Sequence, residues 1–148
     1  MTRRIALDSN ILVYAALEPA SDKGVRAAQA IHHASSRGIL AAQVLLEFVA
    51  VIRRRSPELT AQAIAQANAW AAVFEVAPTS NLVTSRALAL VRDHQFQVWD
   101  ALIWAASREA GATLLFTEDL QDGLALNGMK AVNPFSLSQA DLAALLPG

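Results

Sequence analysis

Two acidic residues follow short apolar runs in the sequence. Asp8 follows Ile5-Ala6-Leu7, and Asp119 comes shortly after the stretch from Thr113 to Phe116. Runs of this length predict buried strands, and open α/β sheets bind their ligands outside the carboxyl ends of the strands. We therefore expect both carboxylates to lie at the ligand-binding edge of a sheet.

Two further acids lie within apolar helical patterns. Glu47, in AAQVLLEFVAVI, has no lysine or arginine three or four positions away, and Asp100 lies between Trp99 and the apolar run ALIWAA. An ionised carboxylate among apolar residues is costly unless a cation or a hydrogen-bond donor accompanies it. Each of these acids therefore needs a partner from elsewhere in the fold.

The shared pattern predicts that these four acids converge. Carboxylates about 4 Å apart repel by roughly 4 kcal/mol per pair at an effective dielectric constant of 20, so protons or divalent cations must relieve the repulsion. Oxygen ligands in a chain without cysteine favour Mg²⁺ or Mn²⁺ over zinc. Carboxylate-held ions of this kind clamp a phosphodiester, generate hydroxide and stabilise the leaving oxygen, which is nuclease chemistry.

Each acid taken alone also has a plainer explanation. Glu47 fits a thin polar strip that reaches solvent, and Asp100 fits the first turn of a helix, where a carboxylate is stabilised by backbone N–H groups. Asp119, in TEDLQDG, fits an ordinary turn after a strand. The sequence leaves these explanations open.

Short buried runs alternate with helical patterns along the chain. The predicted strands are Arg4–Leu7, Gly38–Ala41, Phe74–Ala77, Thr113–Thr117 and Lys130–Val132. The predicted helices cover residues 10–17, 22–36, 43–55, 60–73, 81–94 and 99–110, with a short last helix around Leu142 behind a capping pair, Ser138 and Asp141. This alternation predicts a single domain over residues 1–148, a three-layer α/β/α sandwich around a short parallel sheet of about five strands.

Composition limits the function classes. The formal net charge of −1 argues against a protein that simply coats DNA or RNA, although a local field can still attract a substrate. Apolar residues make up 54% of the chain, which exceeds the usual share and predicts contact with a protein partner, an amphipathic helix above all. We expect a cytoplasmic location, because cysteine is absent and no stretch fits a membrane span or a secretory signal.

The acidic motifs, taken in order, resemble those of a known family. DSN at Asp8, LLEF at Glu47, WDALIWAA at Asp100 and LLFTEDLQDG at Asp119 are similar to the motifs of PIN-domain nucleases, specifically the VapC-like toxin ribonucleases of type II toxin–antitoxin modules. The resemblance covers nearly the whole chain. It implies a Mg²⁺- or Mn²⁺-dependent endoribonuclease that uses a metal-activated water, an antitoxin partner and a homodimer.

The resemblance also implies roles for individual residues. Asp8, Glu47, Asp100 and Asp119 match the metal-binding acids. Asn10 and Thr117 match polar support positions, although Asn10 also fits a helix start. Asp122 matches a position that is acidic in some members, which makes it an auxiliary ligand candidate, and Glu118 is expected to point to solvent.

Basic and aromatic residues near these motifs are candidates for RNA contacts. The run Arg53, Arg54 and Arg55 follows Glu47 by about two helical turns and could hold phosphates at the edge of the site. Its alternative is a solvated helix end that complements the helix dipole. For Trp70, Trp99 and Trp104 we favour core packing over stacking on bases.

Two other function classes compete with the nuclease. A haloacid-dehalogenase-like phosphatase also places an aspartate after its first strand, but it needs a second aspartate two positions later, where this chain has Asn10. A non-catalytic PIN-fold module would use its apolar helices only to bind proteins, and four intact acids argue against it.

Overall fold

The computed structural model describes residues 3–146 and shows a six-stranded sheet. The strands are β1 (Ile5–Leu7), β2 (Ile39–Ala41), β3 (Glu75–Ala77), β4 (Leu114–Phe116), β5 (Ala125–Leu126) and β6 (Met129–Val132). Their order in the sheet is β3-β2-β1-β4-β6-β5. All neighbouring strands pair in parallel except β5 and β6, which are antiparallel.

Helices connect the strands of the parallel sheet. They are α1 (Ser9–Leu17), α2 (Asp22–Ala34), α3 (Ala42–Arg55), α4 (Thr60–Val73), α5 (Asn81–His94), α6 (Val98–Glu109) and α7 (Gln139–Leu145). Two short 3-10 turns, Pro57–Leu59 and Pro134–Ser136, complete the order. Within residues 3–146, none of the helices combines the length and the apolar character that crossing a membrane requires.

The order of the strands reverses beside β1. The chain moves from β1 to β2 and then to β3 on one side, and afterwards crosses to β4 on the other side of β1. Because such crossovers are right-handed, α1 to α4 cover one face of the sheet and α5 and α6 cover the other. This confirms the three-layer α/β/α sandwich and puts a topological switch point between β1 and β4.

The five predicted strands are present, and a sixth is added. β5 pairs with β6 through a tight turn at Asn127 and Gly128, whose φ angles are +55° and +83°. An Asn-Gly pair is the standard signal for this two-residue hairpin, because both central residues need positive φ. The sheet therefore has one strand more than the predicted count of about five. The Asn-Gly pair in the sequence marks this additional hairpin strand.

Several element ends differ by one or a few residues from the prediction. Ser21 caps α2, since its side chain accepts the N–H of Gly24, and the helix ends at Ala34 rather than at residue 36. The predicted capping of α7 by Ser138 is confirmed, because the Ser138 side chain accepts the backbone N–H of Asp141. Helix α6 begins at Val98, behind the capping residue Gln97.

The tryptophans divide between core and surface. Trp104 is 1% exposed and packs edge-to-face on Phe96 at 5.7 Å, and half-buried Trp70 packs on Phe48 at 4.9 Å. Trp99, in contrast, is 52% exposed, so the core prediction is wrong for it. It lies in the first turn of α6, where its neighbour Val98 is also exposed, and the buried face of the helix starts only at Ala101.

Replacing Trp104 by alanine is expected to lower the free energy of unfolding by about 3–5 kcal/mol, because the indole leaves a cavity in a closely packed core. Urea unfolding measures this loss. Trp99→Ala is the matched control and is expected to change stability by less than about 1 kcal/mol, since half of that side chain is already in solvent. Equal losses for both variants contradict the placement of these residues.

Candidate active site

The site lies at the carboxyl ends of β1 and β4, at the topological switch point. Asp8 follows β1, and its backbone N–H donates to the carbonyl of Phe116 at 2.9 Å. Thr117 follows β4, and its N–H donates to the carbonyl of Val132 at 3.0 Å. Pairing of the neighbouring strands thus continues one residue past each strand and holds Asp8 and Thr117 side by side.

Thr117 is the centre of the polar network. Its Oγ1 donates to Oδ2 of Asp8 at 2.7 Å and accepts the backbone N–H of Asp119 at 3.1 Å. Nδ2 of Asn10 lies 3.5 Å from the same hydroxyl and donates to Oδ2 of Asp119 at 3.0 Å. Since Thr117 is fully buried, one short hydroxyl side chain fixes the relative position of two acids from different strands.

Helix α6 brings Asp100 to this edge. Oε1 of Gln97 accepts the N–H groups of Trp99 and Asp100, at 2.9 and 3.1 Å. Gln97 therefore caps the helix. Asp100 lies in the first turn of α6, where the helix dipole stabilises a carboxylate, but its side chain is not the group that accepts these N–H bonds. The side chain of Asp100 is free to turn toward the other acids.

Three of the four predicted acids meet. One carboxylate oxygen from each of Asp8, Asp100 and Asp119 lies within 4.8 Å of the other two. Asp8 is buried, Asp100 is half-buried and Asp119 is exposed, so the cluster opens to solvent on the Asp119 side. We call these three residues the acidic cluster.

Glu47 lies beside the acidic cluster rather than within it. Oγ of Ser9 donates to Oε2 of Glu47 at 2.9 Å, while the backbone N–H of Ser9 donates to Oδ1 of Asp8 at 2.7 Å. Nε2 of Gln43 donates to the other Glu47 oxygen at 3.4 Å. The half-buried glutamate is thus hydrogen-bonded, and the thin-polar-strip explanation does not describe its surroundings.

Burial makes the negative charge of the acidic cluster costly. Burial raises the pKa of Asp8 from 3.8 to about 7, against hydrogen bonds from Thr117 and Ser9 that lower it, and the charges of Asp119 and Asp100 raise it further. Burial also raises the pKa of Asp100 to about 6, with added repulsion from Asp119 and Glu47. No lysine or arginine within residues 3–146 forms an ion pair with any of these acids.

The donor set fits a divalent cation. The acidic cluster offers only carboxylate oxygens, which are the ligands that Mg²⁺ and Mn²⁺ prefer. Oδ1 of Asn10 is also buried, and no partner for it is found in the part of the chain that the structure describes. A cation would therefore meet several hard oxygen atoms that lack a compensating positive charge.

Two neighbouring acids lie outside the acidic cluster. Asp122 is exposed, and its Oδ1 accepts the backbone N–H of Asn133 at 2.9 Å, so the structure does not bring it to the other acids. The prediction that Glu118 points to solvent is wrong, because Glu118 accepts a hydrogen bond from the Tyr14 hydroxyl at 2.5 Å and forms an ion pair with Lys23 at 3.0 Å. These two partners lie on α1 and α2, whose proximity the sequence alone does not show.

The arginine run at the end of α3 faces two directions. Arg54 and Arg55 line a cavity of 340 Å³ together with Asn10 and Asp119. Arg53 instead lines a groove between α3 and α4. The sequence pattern predicts one joint role for these three residues, and the structure separates them.

Sequence reasoning missed three polar residues at the site. Ser9 links Asp8 to Glu47, Gln43 supports Glu47 and Gln97 caps the helix that carries Asp100. Gln43 precedes Glu47 by four positions, so helical spacing alone could have found it. Ser9 has no comparable signal, because its partner comes from another helix.

Comparisons with solved structures find proteins of similar fold. A toxin–antitoxin complex from Klebsiella pneumoniae is 18% identical, covers 90% of this chain and 99% of its own, and superposes with a TM-score of 0.67. The Mycobacterium tuberculosis toxin VapC20, described as cleaving the sarcin–ricin loop, is 19% identical, covers 78% of this chain and 91% of its own, and has a TM-score of 0.63. DNA-bound VapBC from Salmonella typhimurium is 14% identical, covers 88% and 97% of the two chains, and has a TM-score of 0.62.

At these identities the solved structures establish a shared fold. A comparison with curated protein sequences finds no significant match. The family comparison is decisive, since the model of the PIN domain matches residues 5–121 and this range contains all four acids. The chain belongs to the PIN domain family.

Proposed function

We propose that the chain is a metal-dependent endoribonuclease and the toxin of a VapBC-type toxin–antitoxin module. The observation that carries this proposal is the acidic cluster, whose carboxylates approach within 4.8 Å although no cationic side chain of residues 3–146 pairs with them. An arrangement so costly in the metal-free protein is expected where a bound cation is required for function.

Asp8, Asp100 and Asp119 would hold Mg²⁺ or Mn²⁺, with Glu47 as the fourth acid at the edge of the site. A bound ion would supply an activated water and neutralise charge on the phosphate. The chain supplies the positions: Thr117 and Ser9 fix the Asp8 carboxylate through two hydrogen bonds of 2.7 Å, and Asn10 fixes Asp119. Thr117 and Asn10 are thus positioning residues.

RNA is the substrate class that we propose. The relative from Mycobacterium tuberculosis is described as a toxin that cleaves the sarcin–ricin loop, and this description supports RNA as substrate here. The relatives described as toxin–antitoxin complexes support an antitoxin partner. The homodimer and the cytoplasmic location that the sequence led us to expect stay predictions.

The two competing function classes differ from this proposal in what the acids do. A phosphatase of the haloacid-dehalogenase type needs a second aspartate, which this chain lacks. Asn10 occupies that position and donates to Asp119. A non-catalytic interaction module requires no metal and no intact acids. The effects of metal and of acid substitutions therefore separate these classes from the nuclease.

The surface of α3 and α4 fits a helical protein partner. A groove of 520 Å³ runs between the two helices, and among its lining residues are Leu45, Leu46, Val49 and Ile64. Leu46 is 67% exposed and Ile64 is 48% exposed, which leaves apolar surface in solvent. We propose that an apolar helix face of the antitoxin covers this groove.

The metal-free protein is expected to lose stability as pH rises from about 4 to about 7. In the unfolded chain Asp8 ionises near pH 3.8, whereas in the folded protein its pKa is about 7, so folding disfavours the charged form. The penalty is absent below pH 3.8 and complete above pH 7, and its size is on the order of 2–4 kcal/mol. Asp8→Asn removes it, so urea unfolding in the presence of a chelator should show a flatter pH dependence for this variant. Identical pH dependence in both proteins contradicts the assignment.

Asp8→Asn is expected to reduce cleavage of single-stranded RNA at least about 1,000-fold and to abolish the rise in melting temperature that Mn²⁺ gives the unaltered chain. Both are measured on the same samples, by gel analysis of RNA and by thermal denaturation. Asp122→Asn is the matched control, and we expect it to leave both readouts unchanged because Asp122 bonds to Asn133 instead. Undiminished cleavage by the Asp8 variant rejects the acidic cluster as the active site, and absence of cleavage by the unaltered chain rejects the nuclease proposal.

Leu46→Asp is expected to weaken antitoxin binding at least about 10-fold, since the partner would have to bury a carboxylate in an apolar groove. Co-expression with the proposed antitoxin, followed by affinity purification, measures the complex. Leu88→Asp provides the control, because Leu88 is 62% exposed on α5, which covers the opposite face of the sheet. A similar loss for both variants, or for neither, argues against the groove as the antitoxin site.

A further inference from the structure

A polar cavity adjoins the acidic cluster. It has a volume of 340 Å³, which is near the lower end of the roughly 300–1,000 Å³ found for ligand pockets. Asn10 and Asp119 form its wall toward the acidic cluster, and Arg54 and Arg55, in the last turn of α3, line it as well. The cavity is therefore shared between the candidate metal site and two guanidinium groups.

The positive charge of these two arginines is uncompensated. Both side chains are exposed, and neither forms an ion pair or a hydrogen bond with any residue in the described range 3–146. The acids that line the cavity are otherwise engaged. Glu118 is paired with Lys23 and Tyr14, and Asp119 accepts from Asn10. The cavity thus presents two guanidinium groups without an ion-pair partner in the described residues, directly beside the acidic cluster.

The helix dipole does not explain which way these arginines face. All three consecutive arginines lie in the last turn of α3 and complement its carboxyl end equally. Successive residues of a helix are about 100° apart, so the three side chains spread over a wide arc and cannot share one surface. Arg53 lines the apolar groove between α3 and α4, and only its two neighbours line the cavity.

We propose that Arg54 and Arg55 form a phosphate subsite that holds the RNA backbone one linkage away from the scissile phosphate. The inference deepens the proposed nuclease function and rests on it. Asp119 belongs to the acidic cluster and also lines the cavity, so a strand with its scissile phosphate at the cluster would continue along the cavity. One guanidinium group can bind two oxygens of the same phosphate through two parallel N–H···O bonds.

The charge of the whole chain favours such a subsite. With a formal net charge of −1 and an acidic site, the protein has no general attraction for a polyanion. Local cations that touch the strand beside the acids would supply this attraction. Arg54 and Arg55 meet this requirement because they line the same cavity as Asp119.

The test compares alanine substitutions at the three consecutive arginines. Each is made in the full-length Asp8→Asn chain with Mg²⁺ present, so that the RNA stays intact, and binding of a labelled single-stranded RNA is followed by fluorescence anisotropy. Arg54→Ala and Arg55→Ala are expected to raise the Kd about 10-fold each and to reduce the slope of log affinity against log salt by about 0.7 for each phosphate that is no longer bound. Arg53→Ala is expected to change the Kd less than about twofold, with an unchanged slope.

A second measurement keeps folding and function apart. In the chain with Asp8 intact, Arg54→Ala is expected to raise KM about 10-fold with kcat nearly unchanged, because a remote phosphate contact contributes equally to substrate and transition state. Thermal melting of every variant is expected to match the parent, since all three arginines are exposed. Equal effects at positions 53, 54 and 55, with RNA still cleaved by the unaltered chain, overturn the subsite alone. Absence of both RNA binding and RNA cleavage overturns the subsite together with the proposed function.

Discussion

The mutual repulsion of Asp8, Asp100 and Asp119 is the constraint on which the site depends. Three carboxylates within 4.8 Å of one another, one of them buried, raise the free energy of the folded chain unless protons or a cation reduce their charge. Burial, rather than the neighbouring charges, is the largest cause of the raised pKa of Asp8. The fold itself therefore favours a proton or a bound cation at this place, because it takes an acid out of water and gives it no basic partner.

Hydrogen bonds hold the acids in spite of this repulsion. Thr117 donates to Asp8 and accepts from the backbone of Asp119, so the hydroxyl group joins the ends of two strands across the switch point. Ser9 donates its backbone N–H to Asp8 and its hydroxyl to Glu47, and so links these two acids. These short polar side chains lie on rigid elements with a buried core behind them, which keeps the carboxylates in place when no ion is present.

Charge is separated over short distances around the site. The acidic cluster opens to solvent on the Asp119 side, and the cavity with Arg54 and Arg55 begins at the same residue. Lys23 forms an ion pair with the nearby Glu118, so this acid does not compensate the positive charge of Arg54 and Arg55. On another surface, the groove of α3 and α4 is apolar and bordered by Arg53. One helix, α3, thus contributes Glu47 to the site, two arginines to the cavity and several apolar residues to the groove.

The α/β class, five of the six strands and the three acids that meet could be predicted from the amino-acid order, because hydrophobic periodicity and unpaired charge in apolar surroundings are local properties of the chain. The fourth predicted acid, Glu47, lies beside the other three. The Asn127-Gly128 pair marks β5 in the same local way. Tertiary packing was needed to show that Asp122 bonds to Asn133, that Glu118 pairs with Lys23, that Trp99 is exposed and that Arg53 faces away from Arg54 and Arg55. Each of these outcomes depends on which side of an element meets a distant segment, and the packing of helices and strands, rather than the local sequence, fixes that.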